Sequence, residues 1–196
     1  ALYLKAIELS PRMLYAYEAL GDLYVKEGKM EAALGALAKV IAIDPGYLPG
    51  YAKLAKLYRR LGQTKELTRL YKSAVANGLD FFEAYYYLGN LYADARMDKK
   101  AIAMYRQALR FNPESQEACL GLGTAYLALG NHRQAILWLS RSLSIDPALA
   151  VAHNNLSLAY YYAREHDLAV RHYNQAVKLG YAPHPKLAQL LESQAM

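Results

Sequence analysis

The side chains able to do chemistry are few and scattered. Five histidines, His132, His153, His166, His172 and His184, could ligate a metal or shuttle protons. None forms a His-x-x-x-His pair or stands beside the cysteine, so the spacing of a zinc site is missing and no metal ligand is expected. His132 and His166 lie 34 residues apart, which reads as a repeat rather than as ligation. The single cysteine, Cys119, leaves no internal disulfide framework and reads as a small buried hydrophobe rather than a nucleophile. Gly121-Leu122-Gly123 lacks the Lys-Ser/Thr that completes a phosphate loop. Glu165 and Asp167 read as a solvated turn and helix start rather than an acid–base pair. The expectation is a protein with no catalytic residue, no metal and no cofactor.

The elements that position these side chains are helical. Tyrosine appears 19 times against 3 Phe and 1 Trp, and the abundance of Ala, Leu, Lys and Gln favours helices over strands. Hydrophobic residues make up 55% of the 196, yet no apolar run approaches the roughly 20 residues of a membrane-spanning helix. No membrane insertion is therefore expected. The start of the chain lacks the apolar core of a leader, and with one cysteine this makes the cytoplasm the default compartment. A net charge of +6 favours acidic partners but is not the dense basic content of a dedicated nucleic-acid binder.

An internal repeat organises the whole chain. Leu20, Leu54, Leu88, Leu122 and Leu156 are spaced by 34 residues, and so are Tyr24, Tyr58, Tyr92, Tyr126 and Tyr160. A small residue follows each leucine: Gly21, Ala55, Gly89, Gly123 and Ser157. Ala33, Ala101, Ala135 and Ala169 share another phase, and Pro11, Pro45, Pro113 and Pro147 a third. Within a unit, Tyr17, Leu20 and Tyr24 mark one helix face, a break follows, and Ala135, Leu139 and Ser142 exemplify the face of a second helix. Each unit is thus a helical hairpin whose small residues let two backbones approach. The proline ends the second helix by removing an amide donor. Two units depart from this. Leu67 and Leu79 replace Ala and Pro in one, and Tyr181 replaces Pro in the other. Gly78 and Gly180 are the expected left-handed caps there, and the bulk of Leu67 should open the packing slightly.

These columns resemble the tetratricopeptide-repeat (TPR) family: an aromatic or large residue, Leu-Gly, Tyr, Ala, then Pro. The resemblance covers almost the whole chain and implies an all-α, right-handed solenoid of stacked helix-turn-helix units. Five units are expected at 14–47, 48–81, 82–115, 116–149 and 150–183. Residues 1–13 read as the second helix of an earlier, truncated repeat, and 184–196 as a C-terminal capping helix opened by Pro185.

The family resemblance further implies that the first helix of each unit lines a concave groove through its second, fifth, sixth, ninth, twelfth and thirteenth slots. Tyr15, Tyr86, Tyr87, Tyr161 and Tyr162 lie on first helices outside the packing columns and are expected to face it as anchors for a partner. Asn90, Asn154 and Asn155 occupy groove slots and could hydrogen-bond an extended peptide backbone. Lys53, Lys56 and Arg60 share one helix face and form a basic entrance for an acidic segment. The competing reading of that patch is local neutralisation by Glu18 and Asp22 on the adjacent first helix. The Lys/Asn/Asn/Lys/Arg clamp with which some TPR domains capture chaperone tails is not matched. Nor is the asparagine ladder of O-linked sugar transferases.

The expected function is a protein–protein interaction scaffold or adaptor, without enzymatic activity, that binds a peptide or protein segment in the groove. Two alternatives stand beside it. The array could self-assemble through an end formed by Leu2, Ala6 and Leu9, giving a homo-oligomer. It could also be the recognition arm of a larger enzyme or secretion and assembly complex. Nucleic acid is not the expected partner.

Overall fold

The computed structural model describes residues 2–79, 81–182 and 188–189, so the expected capping helix at 184–196, apart from 188–189, and His184 lie outside the described residues. Among the described residues eleven helices and no strands are present. They fall into two compact bodies, Ala1–Asp80 and Phe81–Met196. The first body holds α1 (Leu2–Leu9), α2 (Leu14–Lys26), α3 (Met30–Ile43), α4 (Leu48–Arg60) and α5 (Thr64–Ala76). The second holds α6 (Phe82–Asp94), α7 (Asp98–Phe111), α8 (Gln116–Ala128), α9 (His132–Ile145), α10 (Ala150–Tyr162) and α11 (His166–Lys178).

The helices keep the period of the sequence. First helices begin at residues 14, 48, 82, 116 and 150, and second helices at 30, 64, 98, 132 and 166. The turn inside each hairpin follows one pattern. The carbonyl of the column tyrosine (Tyr24, Tyr58, Tyr92, Tyr126 or Tyr160) accepts the N–H five residues on, at 2.8–2.9 Å. This closes the helix end with a residue of positive φ: Gly28, Gly62, Arg96, Gly130 and Arg164. The second helices end in one of two ways. Where proline follows, α3, α7 and α9 run 14 residues and stop at Asp44, Asn112 and Asp146. Where it is missing, α5 and α11 run 13 residues and turn at Gly78 (φ 70°) and Gly180 (φ 85°), as their sequences predict.

Close approach within each hairpin depends on the small-residue column. A Cβ on Gly21 would stand 2.8 Å from Leu37, one on Gly123 2.7 Å from Leu139, and one on Gly89 2.6 Å from the Tyr105 ring. Between α4 and α5 that column holds Ala55 and the neighbouring one Leu67. Their backbones come close over fewer residues than in the other hairpins. This is the opening that the bulk of Leu67 predicts. Leu122, Leu139, Leu156, Ala118, Ala135 and Cys119 have no exposed surface and form the core of the second body. Burying each such leucine contributes about 1.5–3 kcal/mol. Burial also pushes the Cys119 thiol up, which leaves it a core residue rather than a thiolate.

Candidate functional site

In the first body, Lys53, Lys56 and Arg60 line one cavity of about 210 Å³, together with Asp22, Val25, Leu37 and Leu57. The three basic residues meet because they follow each other at helical spacing on α4 while α2 supplies the opposite wall. Lys53 is already engaged: its ammonium donates to Asp22 at 2.6 Å and to Glu18 at 2.9 Å. Burial opposes its charge, but the hydrogen bonds it donates to Asp22 and Glu18 outweigh this and raise its pKa. Glu18 also accepts from the Tyr47 hydroxyl at 2.9 Å, which raises the tyrosine's pKa. Local neutralisation therefore describes Lys53. Lys56 and Arg60 are exposed and, among the described residues, have no carboxylate within ion-pair distance. Tyr15 does not line this cavity. It stands 71% exposed, edge-on to Tyr47 at 6.2 Å between centroids.

In the second body, α6 and α8 frame a cleft of about 300 Å³. Tyr86 and Asn90 form one wall, while Leu120, Gly121, Thr124 and Ala128 form the other. Its floor is Tyr105, whose ring fills the space left by two glycines. A Cβ on Gly89 or on Gly121 would come within 2.6 Å of it. The Tyr105 hydroxyl donates to Asn90 Oδ1 at 2.7 Å. Burial, with smaller contributions from Tyr86 and Asp94, raises the Tyr105 pKa, so the phenol keeps its proton and the bond its polarity. Asn90 Oδ1 accepts this bond, and its amide N–H₂ supplies two donors that a ligand carbonyl could meet. Tyr86 stacks on Phe82 at 5.4 Å and packs against the core, so it offers an edge rather than a free ring. Tyr87 is half-buried.

A polar line extends from the cleft. Asn155 Nδ2 donates to Thr124 Oγ1 at 2.9 Å, and Asn154 Nδ2 donates to Asn155 Oδ1 at 3.3 Å. At the end of α10, Tyr161, Tyr162, Arg164 and His166 line a smaller cavity of about 280 Å³. Tyr162, 53% exposed, stacks on His132 at 5.1 Å, and Tyr161 meets His166 edge-on at 5.5 Å.

Nine of the eleven residues expected to bind thus fall at three places, the α2–α4 cavity, the α6–α8 cleft with its asparagine line, and the end of α10, while Tyr15 and Tyr87 line none of these cavities. Sequence reasoning missed Thr124, Leu120 and Ala128 as cleft walls because none is aromatic or charged. It also missed Tyr47, which lies just before α4 and is counted with no helix face. No helix among the described residues is long and apolar enough to cross a membrane. Among them, no group of three or more His, Cys, Asp and Glu could hold a metal ion.

Hairpins of this length, turn and packing column define an all-α repeat protein. Two tetratricopeptide-repeat models match, one over residues 14–47 and one over residues 93–156, together half of the chain. The chain belongs to the tetratricopeptide-repeat family, and that membership supports a protein-interaction scaffold. No curated protein sequence matches it. Among solved structures it is similar to MamA, at 28% identity and TM-score 0.68, over 85% of this chain and 91% of that one. It is also similar to YrrB, described as a TPR protein with an unusual peptide-binding site. That match has 20% identity and TM-score 0.73, over 100% of this chain and 99% of that one. PilF of Pseudomonas aeruginosa matches at 22% identity and TM-score 0.62, over 90% of this chain and 80% of that one.

Proposed function

We propose that this protein is a non-catalytic scaffold that holds an extended segment of a partner protein against its first helices. The observation that carries this reading is the α6–α8 cleft. It combines an aromatic edge (Tyr86), an aromatic floor (Tyr105), an apolar wall (Leu120) and an amide donor (Asn90) in one concavity. Such a set suits a peptide main chain flanked by side chains: the amide pairs with a carbonyl, and the apolar wall takes an alternate residue. Asn154 and Asn155 extend the polar line, and Tyr161 and Tyr162 offer further aromatic contact. In the first body, Lys56 and Arg60 are the cations free to favour an acidic segment, while Tyr15 stands ready as an exposed anchor.

A random-peptide display selection tests the reading. Thr124→Trp fills the cleft from an exposed position without removing a packed side chain. Peptides selected on the wild type should lose binding to this variant. Selected peptides that bind both proteins equally would move the site off the cleft.

A further inference from the structure

A second concavity of the second body is lined by second helices, α7 and α9, rather than by the α6 and α8 of the cleft. It measures about 530 Å³ and is lined by Arg106 and Arg110 of α7, Arg141 and Trp138 of α9, and Pro113 of the connecting loop, with Leu109 at its base. From these observations we infer a second binding site, specific for an acidic protein segment in which carboxylates alternate with apolar residues. It is independent of the cleft on the first helices.

Charge is the first reason. Helices α7 and α9 carry Lys99, Lys100, Arg106, Arg110, Arg133 and Arg141 against one carboxylate, Asp98. That is an excess of five, compared with +6 for the entire chain. No carboxylate among the described residues lies within ion-pair distance of Arg106, Arg110 or Arg141. Arg106 and Arg110 are four residues apart, so they repel each other along one helix face, and an anion between them relieves that repulsion.

Preorganisation is the second. Arg141 donates from Nη2 to the Pro113 carbonyl at 3.0 Å, and its guanidinium lies 5.7 Å from the Trp138 ring centroid. Its remaining donors are held in place for a planar, two-oxygen acceptor, the geometry of a carboxylate. Arg110 is steadied by Gln107, whose Oε1 accepts from Nη1 at 2.9 Å. Leu109, Ala103 and Pro113 supply apolar surface between the charges. A nucleic acid would use the indole as a stacking platform, but Arg141 already covers that face.

Trp138 is the chain's single tryptophan, so its fluorescence reports on this site alone. A short synthetic peptide of Asp and Glu interspersed with Leu, and an oligothymidylate, would be titrated at low salt. The labelled peptide's anisotropy gives a second readout. The peptide should shift Trp138 emission saturably and bind about tenfold more weakly to the Arg106→Gln/Arg110→Gln variant. By anisotropy, which does not depend on tryptophan emission, it should bind the Thr124→Trp variant as well as it binds wild type. No binding by either readout, or equal binding to the double variant, would overturn the site. Tighter binding of the oligothymidylate, lost in the same double variant, would assign it to nucleic acid instead.

Discussion

Tyr105 donates its hydroxyl to Asn90 from the opposite helix of the same hairpin, at 2.7 Å, with its ring lying against Gly89. One side chain thereby joins the packing of α6 on α7 to the floor of the cleft. The ring can reach Asn90 only because residue 89 has no Cβ.

Gly89→Ala should therefore be destabilising although alanine is the better helix former. The added Cβ would meet the Tyr105 ring at 2.6 Å, and the ring is too deeply packed to retreat cheaply. A loss of about 1–3 kcal/mol is expected from overpacking, measured by urea unfolding. In contrast, Gly35→Ala, which meets nothing within 4 Å, should be neutral or stabilising.

Arg96 and Arg164 occupy turn positions that glycine fills in the other hairpins, with φ of 57° and 65°. A left-handed conformation costs a residue with a side chain about 1 kcal/mol. Arg96→Gly should raise the thermal midpoint slightly, with the gain reduced by the greater freedom of glycine in the unfolded chain. Gly130→Ala at the equivalent turn should lower it.

Acid should loosen the last hairpin through His172. His153 Nε2 lies 3.1 Å from the Pro147 carbonyl, which only accepts, so that nitrogen carries the proton. His153 Nδ1 then accepts from His172 Nδ1–H at 2.8 Å. Burial, reinforced by His153, lowers the His172 pKa. The unfolded chain therefore binds this proton more readily than the folded one. The contribution to stability is full above the ordinary histidine pKa of about 6.5 and is lost as pH falls through the lowered folded value. Unfolding midpoints measured from pH 7.5 downward should show this decline. His172→Asn, which keeps a donor near Nδ1, should flatten it.

The hairpins were legible from the sequence because packing writes itself into columns: Leu20 to Leu156 and Tyr24 to Tyr160 recur wherever a helix must meet its neighbour. Gly78 and Gly180 were legible for the same reason, since a helix end without proline needs a left-handed residue. The surface was less so. Slot numbers bring Tyr86 to the cleft but do not show that it stacks on Phe82, and they bring Lys53 to a cavity without deciding how Glu18 and Asp22 share it. The arginine cavity escaped notice because Arg106 and Arg141 come from different repeats and sit in no shared column.

A partner segment seated in the α6–α8 cleft would perturb the backbone amides that line it. The most direct measurement is an amide chemical-shift titration of the isotope-labelled protein with a display-selected peptide. The largest shifts should fall on Asn90, Gly121, Thr124 and Ala128, with the Asn155 side-chain amide following. Shifts confined to Arg106, Arg110 and the Trp138 indole N–H, with the cleft silent, would contradict it.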